Sequence, residues 1–149
     1  MKKFQIRKFR KNFAKRCQEI IYSCIETAKK LNRKEKSFLK KKYSIKNLKI
    51  YGGNSNFFVV FLKSRIIATG RLTKKKEIAT VYVDPKFQKR GAGKFILNYL
   101  TYLTKKKNYK KVFVRSLLQS VDFYKKIGFF EKKKLSKPIR AMRMEKNLC

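Results

Sequence analysis

Apolar positions change period twice along the chain. Phe13, Cys17, Ile20, Ile21, Cys24, Ala28 and Leu31 recur at steps of three, four and their sums, which places them on one stripe of a helix. A short stretch before them, Phe4 to Phe9, reads as a first strand. Arg33 to Lys42, with Phe38 and Leu39 inward, predicts a second helix, and Ser44 is a candidate N-cap for a short turn carrying Ile45 and Leu48. Gly52-Gly53-Asn54-Ser55-Asn56 then interrupts the pattern and predicts a loop. Past it the period falls to that of strands: Phe57 to Leu62, Arg65 to Arg71 after the tight Lys63-Ser64 link, and Glu77 to Val83 after a Lys-rich turn. Pro85 closes this meander. Ala92, Phe95, Ile96, Tyr99, Leu100 and Leu103 mark a long amphipathic helix starting near Arg90. A strand at Lys111 to Arg115, a helix at Gln119 to Ile127 stopped by Gly128, and a hairpin of Phe129 to Lys134 with Ile139 to Met144 complete the order β-α-α-β-β-β-α-β-α-β-β. That order predicts a mixed α+β domain around a mostly antiparallel sheet.

Composition sharpens this picture in two ways. With 149 residues, 43% of them hydrophobic and 14% aromatic, the chain has the size and the apolar content for one folded domain. Its net charge of +35 lies far beyond the roughly 2 to 8 units of an ordinary small domain and would attract any polyanion, nucleic acid included. Lysines outnumber arginines 33 to 10 and cluster at predicted turns and helix ends, so a selected binding face and simple compositional drift both remain open as the origin of the charge. Three cysteines, Cys17, Cys24 and Cys149, without metal-ligand spacing and without any histidine, predict neither a metal site nor a disulfide framework. Cys17 and Cys24, seven residues apart, read as core filler. No run of 18 apolar residues and no apolar leader follows Met1, so a cytoplasmic protein without membrane contact is expected.

The candidate chemistry begins at Gln88-Lys89-Arg90-Gly91-Ala92-Gly93. Glycines flank Ala92 where a strand gives way to a helix, and backbone amides at such a point form an anion-binding nest. A P-loop is excluded, because Gln88 stands where it needs glycine and Phe95 where it needs Ser or Thr; Ile96 occupies the third glycine of a dinucleotide fingerprint. Val81 to Gly93 followed by Lys94 to Leu97 resembles the central motif of the GCN5-related N-acetyltransferase (GNAT) family, in which Gln or Arg opens a Q/R-x-x-G-x-G/A loop. Phe123-Tyr124-Lys125-Lys126-Ile127-Gly128-Phe129 is similar to that family's F-Y-x-x-x-G-F segment, at the expected distance of about 30 residues. The likeness extends from Phe57 to Leu148; before it, only the pattern of elements matches.

The resemblance implies a GNAT-type twisted sheet of 6-7 strands flanked by about 4 helices. It implies one N-acetyltransferase domain over 1-149, with acceptor-side helices at 11-51, an acetyl-CoA-binding core at 57-130 and a closing hairpin at 129-146. Acetyl-CoA would be the cosubstrate. Its pantetheine arm would lie on the backbone of Val81, Tyr82 and Val83, and its pyrophosphate on the amides of Gln88, Lys89, Arg90, Gly91, Ala92 and Gly93, with Lys89, Arg90 and Lys94 adding charge-assisted hydrogen bonds. Glu77, eleven residues before Gln88 and the sole acid between Glu35 and Asp84, matches a glutamate that serves relatives as general base through water. Tyr124 matches the usual general acid. A phenol near 10 protonating a thiolate near 8.5 runs uphill by about 1.5 units, roughly 2 kcal/mol, and the expectation is that positive surroundings lower the phenol's pKa. Leu117 stands where many relatives carry Asn, so that contact is either lost or replaced, with Gln119 or Ser120 as the candidates.

The expected reaction is acetylation of a primary amine, with a small anionic amine such as an amino-sugar phosphate (glucosamine 6-phosphate) as the leading acceptor. Two alternatives stand beside it: a protein amine or aminoacyl-tRNA as acceptor, and a non-catalytic nucleic-acid- or ribosome-binding module on the same fold. Oligomeric state is open, a homodimer included.

Overall fold

The computed structural model describes residues 3–148. Seven strands form one sheet: β1 (Phe4–Lys8), β2 (Asn56–Leu62), β3 (Arg65–Leu72), β4 (Glu77–Val83), β5 (Lys111–Ser116), β6 (Phe130–Leu135) and β7 (Ala141–Asn147), in the spatial order β1-β2-β3-β4-β5-β7-β6. Every neighbouring pair is antiparallel except β4 with β5. Among the described residues five α-helices accompany the sheet: α1 (Ala14–Thr27), α2 (Arg33–Lys42), α3 (Ile45–Asn54), α4 (Ala92–Lys106) and α5 (Val121–Lys126).

Strand β2 explains why the sheet sits in the middle. Its sequence Phe57 to Phe61 is apolar and buried throughout, which a strand covered on one face does not need. Alternation sends Phe57, Val59 and Phe61 into a core shared with Cys17, Ile20, Ile21 and Ile25 of α1, while Phe58 and Val60 join Ile96, Leu97 and Leu100 of α4. Helices α1, α2 and α3 therefore cover one face, and α4 and α5 the other. Strand β6, an edge, exposes its Glu131 and its lysines, the usual protection against edge-to-edge pairing.

Local signals set most boundaries. Asn32 and Glu35 form a capping box that starts α2: Glu35 N donates to Asn32 Oδ1 at 2.8 Å and Asn32 N to Glu35 Oε1 at 3.0 Å. The expected short turn after Ser44 is instead a full helix, α3, running through Gly52 and Gly53 to Asn54. Burial of Leu48 anchors it, and a Cβ at Gly52 would lie 2.5 Å from the Phe9 ring. Gly52 is thus a packing contact inside a helix, and the glycine pair does not mark a loop. The predicted helix at Gln119 is also shorter, since Leu118–Ser120 form a 3-10 turn before α5. Among the described residues no helix is long and apolar enough to cross a membrane.

Candidate active site

Strands β4 and β5 pair only at Glu77 with Phe113 and Ile78 with Val114. Beyond Ile78 the two strands part, leaving one edge of β4 without a partner, and the gap opens into a cleft of about 560 Å³. Glu77, Val81, Tyr82, Val83, Gln88, Lys89, Gly91, Gly93, Lys94 and Tyr124 all line it. Arg90 and Ala92 do not: Arg90 lies 5.3 Å from the Phe87 ring centroid, and Ala92 is buried in the core beneath.

The turn after β4 is built by short-range bonds. The Asp84 carboxylate accepts from Lys86 N at 3.0 Å and from Arg16 Nη2 at 2.6 Å, so α1 holds the end of β4. Burial works to raise the Asp84 pKa, but the Lys86 amide and the Arg16 guanidinium outweigh it and leave the group below its ordinary value. Gln88 folds its side chain back, Nε2 donating to Val83 O at 3.0 Å. Gly91 takes φ 92° as the N-cap of α4, a left-handed position that glycine adopts at little cost. The first helical bond runs from Phe95 N to Gly91 O, so the amides of Ala92, Gly93 and Lys94 lack helical acceptors. Gly93 has a second reason to lack a side chain: a Cβ there would stand 3.0 Å from the Phe123 ring. Loop and F-Y segment are therefore in direct packing contact.

Glu77 is buried and accepts from Arg115 Nε at 2.6 Å and Nη2 at 3.1 Å. The neighbouring Lys74-Lys75-Lys76 run does not supply its partner. Arg115 went unidentified in the sequence, and only the parallel register of β4 with β5 reveals it. Tyr124 is buried against Phe123 and Phe129, with ring centroids 5.1 and 5.5 Å away. Burial pushes its pKa up, with Tyr43 adding to the shift. The expected lowering by positive surroundings is thus corrected: aromatic packing outweighs the distant net charge. Tyr82 is raised as well, by burial and then by Tyr43, whose ring centroid lies 5.5 Å from its own. Tyr43 lines the cleft and carried no signal beyond being an aromatic residue at a helix end.

Cys17 is core filler as expected, whereas Cys24 lies on the cleft wall and donates Sγ–H to Val83 O at 3.0 Å. Burial pushes both thiols up to about 12, so neither is a ready nucleophile at neutral pH. Leu117, Gln119 and Ser120 all reach the wall. Phe38, Leu39 and Lys42 of α2 and Lys137, Pro138 and Ile139 of the β6–β7 connection line the cleft as well. Glu35 joins these two segments, accepting from Arg140 N at 2.9 Å, Nε at 3.0 Å and Nη2 at 2.7 Å. Among the described residues no group of three or more His, Cys, Asp or Glu is arranged to hold a metal ion.

The profile of the family described as Acetyltransferase (GNAT) domain matches residues 23–148. No curated protein sequence matches significantly. Among solved structures, a GCN5-related N-acetyltransferase from Rhodopseudomonas palustris superposes with a TM-score of 0.90 at 16% identity, over 97% of this chain and 95% of its own. PaiA N-acetyltransferase from Thermoplasma acidophilum, solved with coenzyme A, gives 0.82 at 20% identity over 97% and 99%. YncA from Salmonella typhimurium, described as a putative acetyltransferase with its cofactor acetyl-CoA, gives 0.71 at 15% identity over 99% and 95%. At such identities the likeness is one of fold.

Proposed function

Because the chain belongs to the GNAT acetyltransferase family and is an acetyl-CoA-dependent N-acetyltransferase, we propose that its acceptor is a small anionic primary amine, of which glucosamine 6-phosphate is the concrete candidate. One observation carries this reading. Among the described residues Glu77 is the sole carboxylate on the cleft wall, and Arg115 occupies both its oxygens, while Lys42 and Lys137 share that wall outside the segment 88–94. A polycationic acceptor would find no free counter-charge there, whereas a phosphate or carboxylate would.

The residues present suit the cosubstrate. The unpaired β4 edge offers backbone groups to an amide-bearing pantetheine arm. The amides of Ala92, Gly93 and Lys94, with Lys89 and Lys94 beside them, offer a pyrophosphate the donors and the charge it requires. Bound acetyl-CoA supplies the thioester whose acetyl carbon the amine nitrogen attacks, the N–C bond forming as the C–S bond breaks. Backbone amides from Val81 to Val83 stabilise the developing oxyanion. Glu77, oriented by Arg115 through one lone pair on each oxygen, takes the ammonium proton through a water on a remaining lone pair, and a cationic wall favours the neutral amine. Tyr124 gives its proton to the departing sulfur and is restored through solvent by the second proton that the acylated nitrogen sheds. Burial that raises the phenol also disfavours a thiolate beside it, so the acid and its target shift in the same direction. The proposed transfer is direct: Cys24, the cysteine on the cleft wall, has its Sγ–H engaged by Val83 O and its thiol pushed up to about 12 by burial.

The test is release of free thiol from acetyl-CoA in the presence of amino sugars, amino-sugar phosphates, polyamines, peptides and charged tRNA. Turnover with the phosphorylated amino sugar supports the proposal. Turnover with charged tRNA or peptides alone moves the acceptor class, and silence without acetyl-CoA binding rejects the enzymatic reading.

A further inference from the structure

The strand that faces the cleft contains a backbone outlier. Thr80 stands within β4 at φ 57°, a left-handed conformation in which a β-branched side chain crowds its own backbone. Thr69 of β3 faces Tyr82 and Arg71 faces Ala79, so Thr80 and Val81 oppose the single Gly70, the mark of a bulge. Two hydrogen bonds hold it. Arg71 Nε donates to Thr80 Oγ1 at 2.7 Å, and Thr69 Oγ1 donates to Thr80 O at 2.7 Å. Arg71 is only 7% exposed, its guanidinium carbon 4.1 Å from the Tyr51 ring centroid. The acid nearest in its electrostatic influence, Glu77, is engaged by Arg115. A buried cation without its own carboxylate costs stability, so its retention calls for another role.

We propose that Arg71 is a positioning residue for acetyl-CoA: by locking Thr80 into the bulge, it directs the unpaired edge of β4 from Ala79 to Val83 into the cleft. This rests on the reading of that edge as the cosubstrate surface. Without the clamp, Thr80 relaxes toward ordinary strand geometry, the bulge flattens, and the edge turns away from the arm it should pair with.

Calorimetric titration of acetyl-CoA into the full chain, alongside thermal melting, tests this. Arg71→Met should weaken binding about tenfold with a melting temperature near wild type, because the lost clamp is offset by removal of a buried charge. Adding Thr80→Gly to that variant should restore most of the affinity, since glycine takes the left-handed position unaided. Thr80→Val, which keeps Arg71 and the crowding but removes the hydroxyl acceptor, should lose affinity like Arg71→Met and serves if the latter fails to fold. Wild-type affinity in Arg71→Met or in Thr80→Val overturns the proposal, as does a folded double variant that stays weak. Failure of the wild-type chain to bind acetyl-CoA would instead reject the underlying assignment of the cleft, and the positioning role with it.

Discussion

The two halves of the cleft are built by different means. The proposed cosubstrate half is nearly continuous in sequence: Glu77 to Lys94 supplies strand, turn and helix N-terminus, and Phe123 packs against Gly93. Its geometry is mostly backbone, fixed by a capping carboxylate, a left-handed glycine and a bulge. The proposed acceptor half is assembled from α1, α2 and the β6–β7 connection, the last two joined by Glu35 and Arg140, about a hundred residues apart. Its geometry is mostly side chain. The contrast teaches that a site held by backbone can stay constant while one held by side chains across a gap is free to change partners, as one fold serving many acceptors requires.

Independent variation of the two halves is the way to break this division. The largest effect is expected at the chemistry they share: Tyr124→Phe should lower kcat about 10³-fold while acetyl-CoA affinity stays within about threefold, read by stopped thiol assays and calorimetry. Normal turnover would remove Tyr124 from the mechanism. On the cosubstrate side, Gly91→Ala should weaken acetyl-CoA about tenfold, from the left-handed cost of about 1–2 kcal/mol, and leave the acceptor KM unchanged. On the acceptor side the pattern should invert. Arg140→Met leaves Glu35 with an uncompensated charge and should lower the melting temperature modestly; it should raise the acceptor KM severalfold with acetyl-CoA affinity kept. If either variant moved both constants equally, the halves would not be separable.

The smallest expected effect is in acid. The Arg140 hydrogen bonds hold the Glu35 carboxyl down at about 2, against its ordinary 4.5, with the Asn32 and Arg140 amides assisting against the opposing effect of burial. A depressed folded pKa contributes stability that is complete above about 4.5 and lost as pH falls through about 2. Wild type should therefore shed melting temperature between these values more steeply than Glu35→Gln. Parallel curves would show that the clasp contributes little.

Legibility in the sequence follows the same division. The bounds of α2 could be read because Asn32 and Glu35 cap it locally, and the meander could be read because β2, β3 and β4 are joined by short turns. The loop from Gln88 to Gly93 and the segment from Phe123 to Phe129 were recognisable because backbone geometry restricts which residues fit. Gly52 misled because a glycine chosen for contact with Phe9 looks the same in sequence as one chosen for a turn. Arg115, Tyr43 and Arg71 went unseen for a different reason. Each acquires its role from a neighbour placed by tertiary structure: Arg115 across a parallel pair, Tyr43 beside Tyr82, and Arg71 opposite a bulge.

The most direct test of the acceptor reading compares kcat/KM for glucosamine 6-phosphate and for glucosamine, at low and at physiological salt. The charge distribution of the cleft predicts a preference of at least about tenfold for the phosphorylated sugar that shrinks as salt rises. Equal values for the two sugars, or turnover confined to spermidine, would contradict it.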